Sequence, residues 1–137
     1  MAKLLAMEAA LYSGFSEFLF GWSLQTIGED ASLEARWFDY KSHRWERTFL
    51  IQPDLFRPFV GPLKGLRDRY EYPMEDLGAR VLKVQDGEEE FSVLVSGYGP
   101  REYPELQHFD ALWRVLERTV KRELEGIVPQ YILNLRG

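Results

Sequence analysis

The densest run of chemically capable side chains in this sequence is Arg36-Trp37-Phe38-Asp39-Tyr40-Lys41-Ser42-His43-Arg44-Trp45-Glu46-Arg47. Rings offer stacking area, and guanidiniums offer forked donors for carboxylate or phosphate. Protein hot spots and single-stranded nucleic-acid platforms both use that combination. The candidate interface is therefore Trp37, Tyr40, His43, Arg44, Trp45 and Arg47. A plainer account stands beside it: Trp37 and Trp45 flank a hairpin and pair across it, while Arg and Glu alternate outward as cross-strand ion pairs.

Catalytic chemistry finds less to work with. A nucleophilic triad needs Ser, Cys or Thr with a histidine and a carboxylate in reach. The chain has two histidines and no cysteine. His43 falls in a loop between strands, and His108 in the second turn of a helix, away from its apolar stripe. No G-x-S-x-G occurs, and no catalytic residue is nominated. Metal binding has no H-x-x-x-H or H-E-x-x-H spacing. The acidic run Asp86-Gly87-Glu88-Glu89-Glu90 lacks the alternating ligands of a calcium loop and reads as a solvated turn. Gly97-Tyr98-Gly99-Pro100 lies between a strand and a helix without the third glycine of a dinucleotide loop. If that loop takes an anion, Arg101 is the contact. The reading includes no metal and no cofactor.

These residues belong to a chain of 137 residues with a net charge of −5, which is one domain able to bury its own core. Aromatic residues make up 15%, with four Trp, seven Tyr and nine Phe, and such an excess often ends at a partner surface. An acidic chain is poorly suited to non-specific phosphate-backbone binding, so nucleic acid is disfavoured as a partner. The N-terminal apolar run is interrupted at Glu8, and no stretch has the apolar length of a membrane span. A soluble, cytoplasmic protein is the expectation.

The elements that must position the candidates can be read from periodicity. Leu106, Phe109, Trp113, Leu116, Val120 and Leu124 recur at steps of three and four, so residues 105–125 form an amphipathic helix. Pro104 precedes it, and Gly126 followed by Pro129 ends it. Residues 3–12 are expected to form a short helix. Phe15 to Thr26, 32–40 and 45–52 alternate with period two and read as an antiparallel meander, with Gly21 marking a bulge or a close approach. Pro58 and Pro62 divide 53–72 into two short turns, closed by Phe56, Phe59 and Leu63 against one end of the sheet. Ala79–Gln85 and Glu90–Tyr98 flank an Asp-Gly hairpin turn. Tyr131, Leu133 and Leu135 suggest a further edge strand. The fold class is α+β, residues 1–137 as a single domain: an antiparallel sheet of five to six strands packed by a C-terminal helix.

In layout, the chain resembles small bacterial immunity proteins that neutralise polymorphic or contact-dependent toxins. The shared order is a strand meander, an apolar turn segment from Asp54-Leu55-Phe56 through Leu63 and Leu66, a D-G hairpin and a closing amphipathic helix. The resemblance implies a tight protein inhibitor rather than an enzyme, and it transfers no binding residue. The functional expectation is accordingly a non-enzymatic protein-binding module. Nucleic-acid or nucleotide binding through the aromatic/Arg hairpin is the first alternative. A small enzyme with a site near His43 or the Tyr98–Tyr103 loop is the second.

Overall fold

The structure, a computed structural model, describes residues 5–12, 21–27, 32–38, 44–50, 56–72 and 78–130. In chain order these form β1 (Leu5–Tyr12), β2 (Gly21–Ile27), β3 (Ser32–Phe38), β4 (Arg44–Leu50), α1 (Arg57–Val60), a 3₁₀ turn (Gly61–Gly65), β5 (Arg69–Glu71), β6 (Ala79–Asp86), β7 (Glu89–Ser96) and α2 (Leu106–Leu124). The described strands make one seven-stranded sheet in the order β4-β3-β2-β1-β6-β7-β5. Every pairing is antiparallel except β5 with β7. The α+β class is as expected, with more strands than expected.

The extra central strand is a correction. Residues 5–12 are β1 rather than a helix. Their composition, rich in Ala, Leu, Met and Glu, favours a helix locally, but one so short is marginal alone. In the sheet β1 pairs on both edges, Glu8 opposite Gln25 of β2 and opposite Lys83 of β6. Two ladders satisfy the backbone on both sides, and the period-two pair Met7 and Ala9 is buried.

The meander of β2, β3 and β4 follows its alternation. Trp22 and Leu24 of β2, Leu33, Ala35 and Trp37 of β3, and Phe49 of β4 face the core. Gly21 is the expected close approach: a Cβ there would overlap the Phe38 ring and the Leu11 carbonyl oxygen. The upstream half of the expected strand, Phe15 to Phe20, lies outside the described residues, as does the tail at Tyr131–Leu135.

The Pro-divided segment forms its two turns, with Pro62 in the first positions of the second. Phe56, Val60 and Leu63 are buried, and Phe59 packs half-buried beside them. Arg57 binds Asp86 at 2.7 Å and Lys64 binds Glu89 at 2.7 Å, so ion pairs hold these turns to the β6–β7 hairpin. The Asp-Gly hairpin is present, with Gly87 at φ 68°, the left-handed region that glycine enters freely.

α2 buries Leu106, Phe109, Leu112, Trp113, Leu116, Val120 and Leu124. Its first amides bond three residues back, Leu106 to Tyr103, Gln107 to Pro104 and His108 to Glu105, which satisfies donors that have no helical partner. It ends at Gly126, φ 88°, where the amides of Ile127 and Val128 both donate to the Leu124 carbonyl at 3.0 Å. The helix lies chiefly against β2, β3 and β4, with Trp113 meeting Trp22 at a ring-centroid distance of 5.0 Å. Only one face of the sheet is covered by described residues. The other is open.

Candidate functional site

Strand geometry divides the ring–guanidinium run between the two faces. Successive side chains of a strand point to opposite sides, and directly opposed residues on neighbouring strands share a side. Trp37 opposes Trp45, and both fall on the helix-covered side with Ala35 and Arg47. Trp37 is only 1% exposed, so its ring belongs to the core and no partner can reach it. Trp45 is half-buried against that core. Arg47 donates to the Glu123 carbonyl at 3.5 Å, serving one of the acceptors left over at the C-terminal end of α2. Its cation also sits at the negative end of the helix dipole.

Arg44 takes the opposite side, on the open face with Glu46, Arg36 and Phe38. Arg36 is neutralised by Glu34 at 2.5 Å and by Glu46 at 3.5 Å, so the expected cross-strand ion pairing is present. Among the described residues Arg44 makes no ion pair; it is exposed. Tyr40 and His43 lie outside the described residues. The twelve-residue run is therefore not one surface in the described strands, and of its described candidates only Arg44 reaches the open face.

Two hollows floored by small side chains lie on that face among the described residues. The first, about 250 Å³, lies between Ala10, Tyr12, Ser23, Arg36, Phe38 and Arg44. Tyr12 is 52% exposed there, the most exposed large apolar side chain described. The second, about 240 Å³, is polar, with Glu8, Gln25, Lys83, Gln85 and Glu90 around Ala6. Neither holds a histidine, and His108 is exposed on α2. Among the described residues, no group of three or more His, Cys, Asp or Glu side chains could hold a metal ion.

The Gly97–Arg101 loop is used by its own chain. Gly97 takes φ 77°, the Gly99 amide donates to the Glu102 carboxylate at 2.9 Å, and the amides of Glu102 and Tyr103 return to the Gly99 carbonyl. A carboxylate thus occupies the Gly99 amide that an anion would seek, leaving Arg101 an exposed side chain on a closed turn. Beside it stands a cluster that periodicity did not assemble. Tyr70, Tyr103, Tyr98 and Tyr72 form a chain of edge-to-face contacts at 5.0, 5.1 and 5.4 Å, and the Arg67 guanidinium lies 5.0 Å from the Tyr103 ring centre. The parallel pairing of β5 with β7 brings these rings together, and nothing in the alternation announced it.

No protein-family model matches this chain, and no curated protein does. No helix among the described residues is long and apolar enough to cross a membrane.

The outer side of α2 completes the charged surface. Its acids Asp110, Glu117 and Glu123 flank the buried stripe and are half-buried, whereas Arg114, Arg118 and Arg122 stand exposed on the crest. Asp110 is taken by Arg80 at 2.8 Å and Glu117 by Lys121 at 3.4 Å. Arg122 has only a 3.9 Å contact with Glu123. Among the described residues Arg114 and Arg118 have no ion pair or hydrogen bond. Like charges at i,i+4 oppose helix formation by about 0.2–0.5 kcal/mol per pair, and this crest has two such pairs.

Proposed function

We propose that this chain is a non-enzymatic protein-binding module of the inhibitor or immunity type, docking a partner protein on its open sheet face over β1–β4. The observation that carries the reading is the hollow in which Arg44, without an ion pair among the described residues, stands with exposed Tyr12 and with Phe38. Tyrosine and arginine dominate binding hot spots because they offer large contact area and directed donors at once. The layout shared with immunity proteins, the acidic net charge and a cytoplasmic setting belong to the same reading.

Nucleic-acid binding is the second reading, favoured by Arg36, Phe38 and Arg44 on one face. Glu34 and Glu46 stand on that face as well and engage Arg36, which leaves little positive field for a phosphate backbone. The test is affinity capture with the tagged chain, its Arg44→Glu and Tyr12→Ala variants, and Arg101→Glu as a charge control. One stoichiometric protein retained by the wild type and the control, and lost from the other two, is the expected result. Co-purified nucleic acid that leaves as salt rises would overturn it in favour of the second reading.

A further inference from the structure

We infer that the crest of α2 is a second binding surface, and that its ligand is an acidic helical segment of a protein partner. This goes beyond the open-face reading and does not depend on it, since the crest points away from the sheet.

Three observations carry the inference. Arg114, Arg118 and Arg122 repeat every four residues, so their Cα atoms rise in steps of about 6 Å along one side of the helix. All three are exposed, and among the described residues neither Arg114 nor Arg118 has an ion pair: the helix's nearest acids, Asp110 and Glu117, are engaged by Arg80 and Lys121. The arrangement also opposes the helix that bears it. Arg122, in the last turn, gains from the helix dipole, but Arg114 and Arg118 are too far inside for that compensation. A solvated face selected for stability would alternate the signs at i,i+4, as Glu117 and Lys121 do. A bound ligand of opposite charge removes the conflict.

The same geometry selects the ligand class. A guanidinium accepts a carboxylate bidentately, and a partner helix with acids every four residues repeats at the same interval as the crest. The exposed ring of α2, His108, lies more than a turn before Arg114, so the described crest around Arg114, Arg118 and Arg122 lacks the row of rings that single-stranded nucleic acid stacks on. Ala111 leaves clearance at the N-terminal end for a helix to lie close.

The probe is a fluorescein-labelled, alanine-rich helical peptide with Glu at every fourth position, and its Gln counterpart serves as the blank. Binding is read by anisotropy on the full chain, on Arg114→Gln/Arg118→Gln, on Arg118→Gln alone, and on Arg69→Gln/Arg101→Gln as a control of equal charge. The expected result is Glu-peptide binding that weakens about tenfold or more in the crest double variant, less in the single variant, and not in the control. The crest double variant should melt no lower than wild type, because it loses repulsion and no contact. No binding of the Glu peptide, or equal losses in the crest variant and the control, overturns the inference. Tighter crest-dependent binding of a single-stranded or duplex oligonucleotide also overturns it, by assigning the surface to phosphate.

Discussion

The Arg80 guanidinium meets the Asp110 carboxylate at 2.8 Å while lying 5.0 Å from the centre of the Phe109 ring, so one side chain of β6 is held to α2 in two ways. Both partners are largely withdrawn from solvent, with side-chain exposures of 24% and 22%. Asp110→Asn should cost about 1–2 kcal/mol by losing the charged hydrogen bond alone. Arg80→Ala should cost more, since the ring contact and the packed aliphatic stem go as well. Denaturant unfolding of the two variants and their double mutant checks this. Equal single costs with no coupling would remove the pair from the account.

Trp113 is the centre of the helix–sheet contact, stacked on Phe109 at 5.5 Å and tilted against Trp22 at 5.0 Å. Trp113→Ala should destabilise by about 3–5 kcal/mol. For a domain of this size that lowers the melting temperature by roughly 10–20 °C. An unchanged melting temperature would sink the packing of α2 described above.

Gly21 has a specific reason to lack a side chain. The Phe38 ring could rotate away from an added Cβ, but the Leu11 carbonyl belongs to the neighbouring strand and cannot. Gly21→Ala should therefore cost about 1–3 kcal/mol through backbone displacement. A second substitution, Phe38→Ala, should recover only part of it. Full recovery, measured by chemical denaturation, would place the whole conflict in the ring.

Lys64 gives a signature at alkaline pH. Its hydrogen bond to Glu89 raises its pKa above the ordinary 10.5, with the charge of Asp86 acting in the same direction. A raised folded value means that the charged form is favoured in the native state. The stabilisation is fully present below pH 10.5 and disappears as pH climbs through the folded value. Wild type should lose stability relative to Lys64→Met above pH 10.5, and Glu89→Gln should shrink the difference. Parallel stability curves for wild type and Lys64→Met would contradict the assignment.

How much of this was legible beforehand follows from what each element rests on. α2 has a stripe that repeats over five turns, a proline before it and a glycine after it, so local signals sufficed. The Asp86-Gly87 turn was equally local. β1 was misread because Ala, Leu and Met favour a helix in isolation, whereas pairing with β2 and β6 decides the outcome from a distance. β5 spans three residues, and neither its direction nor its partner is encoded nearby. The burial of Trp37 was legible as well. Trp37 shares its strand face with Leu33 and Ala35, and that alternation already assigns its ring to the core. That Arg44 and Arg47 part company follows from the same parity. The tyrosine chain around Arg67 and the unopposed arginines of α2 needed the tertiary structure, which alone shows where the neighbouring acids are engaged.

The sheet order has a consequence for how the molecule is made. β1 finds β2 nearby, but its other edge waits for β6, whose Asp86 opposes Leu5 from about eighty residues further on. At roughly 5–20 residues per second of synthesis, that edge stays unpaired for about 4–16 s. For those seconds the nascent meander presents an open strand edge in the middle of its future sheet, where a chaperone or a second nascent chain could pair first. Arrival of β6 closes that edge.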